Sequence, residues 1–242
     1  MCAEAIPKSQ VGDCFSARND RLYKMLVTPV PLIRRLELAL LAPQLARAEV
    51  EAGCAAAIQY DCVAVFVKPH YVEVARKALK DTHIPVIAVV GFPHGSVTTA
   101  TKMYETQDLC QRGADELAMV INLGALRDHD DLAVRNDIAG VVKTARGKPI
   151  TVILETPLLT DEEKTRACKI AEAAKASFVQ TATGFAPSLV LAADVTLLRA
   201  TCPDLKVRAA GGIATQAAAL EMIGAGAERV VVSDVVQVLS NE

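Results

Sequence analysis

The strongest constraint on this chain is a repeated unit. Each copy is a short run of apolar, often β-branched residues, then a break at Gly, Pro, Thr or Asn, then a stretch of helical period. The apolar runs fall at Leu36–Leu41, Val63–Lys68, Val86–Phe92, Glu116–Asn122, Ile150–Glu155, Phe178–Thr183, Val207–Gly211 and Arg229–Asp234. Near-continuous apolar runs mark parallel strands buried on both faces, because an antiparallel strand with one wet face would alternate. Helical stretches lie between them, at Gln44–Tyr60, Tyr71–Leu79, Thr98–Arg112, Asp130–Arg146, Thr160–Lys175, Leu189–Thr201 and Thr215–Gly224. Thr160-Asp161-Glu162-Glu163 has the Thr and the Glu three residues later that form a capping box, fixing a helix start. Eight strands alternating with helices predict an α/β fold, a (β/α)8 TIM barrel over residues 31–242, with an open doubly wound sheet as the lesser alternative. Residues 1–30 are broken by Pro7, Gly12 and Pro29 and read as an N-terminal lead-in without assigned chemistry.

Composition agrees with one large core. Hydrophobic residues make up 52% of the 242 and charged residues 22%, far from a disordered chain. The net charge of −2, the lack of a basic block and an aromatic content of only 4% argue against a nucleic-acid partner and for a small-molecule substrate. The seven cysteines (2, 14, 54, 62, 110, 168 and 202) are odd in number and never spaced CxxC, so they read as reduced packing thiols of a cytoplasmic protein. No long apolar run or signal-peptide core points to a membrane. No dinucleotide fingerprint, phosphate-binding P-loop or metal-spaced His/Cys cluster is present, so no cofactor and no metal is expected.

Several stretches are specific in order and spacing: Val65-Phe66-Val67-Lys68-Pro69-His70, Gly91-Phe92-Pro93-His94-Gly95, Val120-Ile121-Asn122-Leu123-Gly124, Ile153-Leu154-Glu155-Thr156 and Thr183-Gly184-Phe185. Together they resemble the deoxyribose-phosphate aldolase family, (β/α)8 barrels that form an imine between substrate and a strand lysine. The resemblance runs from about Val63 to Val236. It aligns Gln180 with the imine-forming lysine, Arg208 with the lysine that lowers the first one's pKa, and Ala118 with the proton-transferring aspartate. Glu37-Leu38-Ala39 stands where the family has an Asp-His-Thr type segment, and Asp234 where a serine would hold phosphate. An amide nitrogen is not nucleophilic, and arginine stays protonated.

These departures lead to a definite expectation. A carboxylate about 4 Å from one phosphate charge would oppose it by about 4 kcal/mol at intermediate dielectric, so Asp234 predicts an unphosphorylated, polar or cationic ligand. The expected activity is imine-free acid–base chemistry on a carbonyl compound, of C–C lyase, cyclase or isomerase type. Glu155 would move the proton and Arg208 would stabilise an oxyanion. Gln180, Asn122, Thr183, Asp234, Lys68 and His94 would contact substrate, with Glu155 alternatively paired to Arg208 or Lys68. Asn122 has a second reading as a loop cap, and Asp234 as a helix-start residue. The rival expectation is a non-catalytic pseudoenzyme that binds a small molecule or an active paralogue. Residual aldolase activity through Lys68 is the weakest reading. Homodimers are common in the family, although no stretch identifies an interface.

Overall fold

A computed structural model of the chain describes residues 31–240, so the lead-in expected over 1–30 lies outside the described residues. Eight strands, β1 (Leu36–Leu40), β2 (Ala64–Val67), β3 (Val86–Val90), β4 (Glu116–Val120), β5 (Ile150–Ile153), β6 (Phe178–Gln180), β7 (Lys206–Ala210) and β8 (Arg229–Val232), close into a barrel in chain order. All neighbours are parallel, including β1 with β8, which leaves no open edge. The open-sheet alternative is thereby removed. Helices α1 (Arg47–Gln59), α2 (Val72–Ala78), α3 (Thr99–Gln111), α4 (Leu123–Arg127), α5 (Asp131–Thr144), α6 (Asp161–Ala173), α7 (Ala192–Thr201), α8 (Gln216–Gly224) and α9 (Val235–Ser240) follow the strands.

The predicted strands overrun at their C-terminal ends, where the backbone leaves the pleat to turn toward a helix. Glu155 at φ 58° and Gly91 at φ 61° mark two such exits. Helix α7 starts later than the Leu189 of the sequence reading, because Val190 N–H donates to Gly211 O (3.2 Å) and ties that loop to the end of β7. The short helix α4 was not expected from the sequence, while α9 follows Asp234 as its reading as a helix-start residue implies. At α6 the capping box forms as read: Glu163 N–H donates to Thr160 Oγ1 (3.2 Å) and Thr160 N–H to Glu163 Oε2 (2.9 Å). Thr160→Ala removes this cap and should cost roughly 1 kcal/mol, a fall of about 2–4 °C in a thermal melt of a chain this size.

Side chains alternate along each strand between two cores. The outward set meets the helices in one large cluster, with Leu36, Val65, Val86, Leu117, Val152 and Val207 all at most 1% exposed. The inward set fills the barrel, with Ala64, Phe66, Ile87, Val89, Ala118, Val120 and Ile153 likewise dry. Cys54, Cys62, Cys168 and Cys202 are buried free thiols, and burial pushes Cys54 and Cys62 up to about 11. Among the described residues no helix is long and apolar enough to cross a membrane.

The N-terminal floor of the barrel is ionic. Arg208 is fully buried, its guanidinium 3.8 Å from the centroid of the Phe178 ring. It donates to Glu37 Oε1 (3.2 Å), pairs with Glu116 and donates to Thr151 Oγ1. Arg229 Nη1 completes the group, 2.8 Å from Glu37 and 3.6 Å from Glu116. Burial works against the charge on Arg229, but Glu37 and Glu116 outweigh it and lift its pKa above the ordinary guanidinium value. Two guanidinium groups thus face two carboxylates, so the buried layer is neutral as a whole.

Candidate active site

The barrel opens at the C-terminal ends of its strands into a cavity of about 490 Å³, the end on which such barrels place their chemistry. Its walls come from β1 and the loop after it (Ala39 to Pro43), the loop after β6 (Thr183 to Phe185), the turn after β7 (Gly211-Gly212) and Ser233 beyond β8. Gly211 needs its missing side chain: its φ is 121°, and a Cβ there would stand 3.0 Å from Ala182 Cβ. Gly212, at φ 76°, is likewise in the left-handed region, so this turn presents bare backbone to the cavity.

Gln180 forms part of the inner wall and is 3% exposed. Its Nε2 donates to Ala182 O (2.8 Å), while its Oε1 meets no donor among the described residues. Thr183 also lines the cavity, and Glu155 holds it from behind. The Glu155 carboxylate, 4% exposed, accepts from Thr183 Oγ1 (2.5 Å) and from Thr183 N–H (3.2 and 3.3 Å). Thr183 Oγ1 in turn accepts from Phe185 N–H (3.0 Å), and the Phe185 ring meets Phe92 edge-on at 5.3 Å. The loop after β6 is therefore pinned from β5 on one side and from the loop after β3 on the other.

The remaining expected site residues lie elsewhere, each for a physical reason. Arg208 belongs to the ionic floor and does not line the cavity, because its guanidinium is consumed by Glu37, Glu116 and Thr151. The pairing foreseen between Glu155 and Arg208 or Lys68 does not form, since Glu155 turns to Thr183. Lys68 Nζ donates to the carbonyls of Ala42 (2.7 Å), Pro43 (3.0 Å) and Leu45 (3.3 Å), which fastens the loop after β1 and leaves no free amine. Asn122 Oδ1 accepts from Ala125 N–H (3.2 Å) as the cap of α4, and does not line the cavity. Asp234 is exposed and spends its carboxylate on Gln237 N–H (2.9 Å) at the start of α9. The argument that Asp234 would repel phosphate loses its force, because a solvated carboxylate is screened. His94 lines a separate cavity of about 420 Å³ with Phe92, Tyr104, Glu105 and Asp108. Burial raises the Glu105 carboxyl there, against donation from Gly91 N–H.

Sequence reading missed Ser233, Phe185 and the apolar wall from Leu40 to Pro43. Ser233 sits one residue before the Asp that drew attention, and the apolar wall reads like any other core strand end. Among the described residues no three His, Cys, Asp or Glu side chains gather where they could hold a metal.

Comparison with known proteins places this arrangement. The DeoC/LacD family aldolase profile matches residues 36–184. The chain is 46% identical over 202 residues to deoxyribose-phosphate aldolase 2 of Bacillus licheniformis, covering 83% of this chain and 91% of that protein. It is 44% identical over 204 residues to the deoxyribose-phosphate aldolase of Bacillus subtilis, covering 84% and 92%. Among solved structures, the tetrameric deoxyribose phosphate aldolase of Aeropyrum pernix superposes with a TM-score of 0.81 at 28% identity, covering 96% of this chain and 97% of that one. These findings overturn the expectation of a departed activity, whether an imine-free lyase, cyclase or isomerase on an unphosphorylated carbonyl or a non-catalytic binding protein. Four deoxyribose-phosphate aldolases share 40–46% identity over 83–86% of the chain, a likeness that extends over most of the barrel. With the closed barrel, the cavity at its C-terminal mouth and the family match through β1 to β6 in agreement, the chain belongs to the DeoC/LacD family of aldolases, enzymes of lyase type.

Proposed function

We propose that this protein is a carbon–carbon lyase of the deoxyribose-phosphate aldolase kind, working reversibly on 2-deoxyribose 5-phosphate in the cavity at the barrel mouth. The carrying observation is the 40–46% identity to enzymes of that name over most of their length. Cleavage removes the proton of the C3 hydroxyl, breaks the C2–C3 bond and moves its electron pair toward the C1 carbonyl, and the resulting enolate takes a proton at C2. The products are a two-carbon aldehyde and a three-carbon phosphorylated aldehyde. The phosphate end is assigned to the Gly211-Gly212 turn and Ser233, whose backbone N–H groups can meet an anion without a lysine or arginine.

The reading includes position 180. By the family resemblance Gln180 stands where the imine-forming lysine would be, and no lysine lines the cavity among the described residues. Cytoplasmic residence, supported by the buried free thiols, and a homodimer belong to the same proposal. The Aeropyrum pernix relative is tetrameric, which supports self-association of some order.

Coupling the release of both aldehydes to NADH oxidation tests the activity. Protein-dependent release from 2-deoxyribose 5-phosphate is expected, and its absence at high enzyme concentration overturns the reading. The assignment of position 180 is tested by Gln180→Lys with acetaldehyde and borohydride. A reduced adduct mapping to residue 180 is expected, and a folded variant without one would show that this position does not face the carbonyl.

A further inference from the structure

Among the described residues, three side chains with polar atoms line the barrel-mouth cavity, those of Gln180, Thr183 and Ser233, and none of the lining residues is charged. Thr183 is already committed, donating to Glu155 and accepting from Phe185 N–H. Gln180 is committed on one side only. Its amide orientation is settled by Ala182 O, 2.8 Å from Nε2, since the flipped amide would set two carbonyl oxygens against each other. Oε1 is therefore the free end, on a side chain that is 3% exposed and has no donor to Oε1 among the described residues. An acceptor buried without a donor keeps its desolvation cost, so a ligand that reaches Oε1 gains by donating a hydrogen bond to it and one that presents an acceptor there forfeits affinity.

We propose that Gln180 is a positioning and specificity residue whose Oε1 accepts a hydrogen bond from a hydroxyl of the bound substrate, so that the inner cavity selects a neutral hydroxylated carbon chain over a deoxygenated one. A carbonyl, carboxylate or phosphate oxygen cannot fill this role, because each would meet Oε1 acceptor to acceptor. A hydroxyl can, and the uncharged walls suit the neutral part of a sugar chain while its anionic end lies at backbone N–H groups. This deepens the aldolase reading and rests on it for the choice of probe.

The test uses binding, because binding does not depend on turnover. The probe is 1,2-dideoxyribitol 5-phosphate, whose C1 methyl cannot undergo the retro-aldol and adds no donor of its own, with analogues lacking the 3- or the 4-hydroxyl, titrated calorimetrically into the full chain. Gln180→Met keeps side-chain length and removes the acceptor; Gln180→Leu replaces it should the first fail to give a native melt. The parent probe is expected to bind the variant about 10-fold more weakly than wild type, the scale of one buried hydrogen bond. One of the two analogues should lose the same factor on wild type and nothing further on the variant. The inference is overturned if the variant binds the parent as tightly as wild type, if both analogues weaken equally on variant and wild type, or if wild type binds no probe. Should the aldolase reading fail instead, 2-deoxyribose 5-phosphate would not be cleaved while the Gln180-dependent difference in binding persisted.

Discussion

Arg208→Met is expected to lower the melting temperature by about 6–20 °C while leaving KM for 2-deoxyribose 5-phosphate within about twofold of wild type. The stability term comes from the floor of the barrel. Removing Arg208 leaves Glu37 and Glu116, one fully and one largely buried, with only the partly buried Arg229 between them. Breaking a buried ion pair from one side costs about 3–5 kcal/mol, because the abandoned charge keeps its desolvation penalty. At about 2–4 °C per kcal/mol for a chain of this size, that gives the quoted range. Adding Glu116→Gln to Arg208→Met should recover much of the loss, since Glu37 keeps its 2.8 Å contact with Arg229 and the layer is again neutral. Thermal melts of the three proteins and their KM values decide the matter. A KM raised tenfold or more with an unchanged melt would put Arg208 on the ligand after all.

Arg208 also shows how far the sequence could be read. The barrel was legible because eight apolar runs and the helical periods between them leave few other ways to bury so much surface. The direction and height of each inward side chain were not. Most strand positions are apolar on both faces, so periodicity does not tell the mouth from the floor. Glu37 and Arg208 each read as a separate departure from the family, yet they are partners across 171 residues, and nothing local at either position announces the other. Asn122 and Asp234 are absent from the cavity lining for a related reason. A polar residue just after a strand is as useful for starting the next helix as for binding a ligand, and here both carry a helix N-terminus. Gln180 and Thr183 were placed at the cavity because the Thr-Gly break after β6 marks the strand end that turns into the mouth. The substrate reading went wrong where residue chemistry at single positions was set against likeness along the whole chain.

Glu155→Gln is expected to reduce turnover by about 10–100-fold through the loop it holds, not through a proton it carries. Glu155 leaves β5 in the left-handed region, φ 58°, a conformation costly for a residue with a side chain and retained where surrounding contacts enforce it. The enforcing contacts are those to Thr183, whose N–H and hydroxyl both donate to the carboxylate. Glutamine keeps the shape but offers only one acceptor oxygen, so its NH₂ must face a donor. Hydrogen bonds to a charged group are worth about 1.5–3 kcal/mol, which sets a melting-temperature loss of about 3–12 °C. The catalytic loss follows from geometry, because a wall of the cavity displaced by about 1 Å can cost on the order of 100-fold in rate. Thr183→Val removes the hydroxyl from the other side and should have a smaller effect of the same kind. If the pair acts as one clamp, the double variant will lose little more than Glu155→Gln alone, a coupling characteristic of residues in direct contact. Were Glu155 itself the proton carrier, Thr183→Val would scarcely matter and Glu155→Gln would erase one limb of the pH–rate profile. Under the clamp reading both limbs persist at a lower plateau.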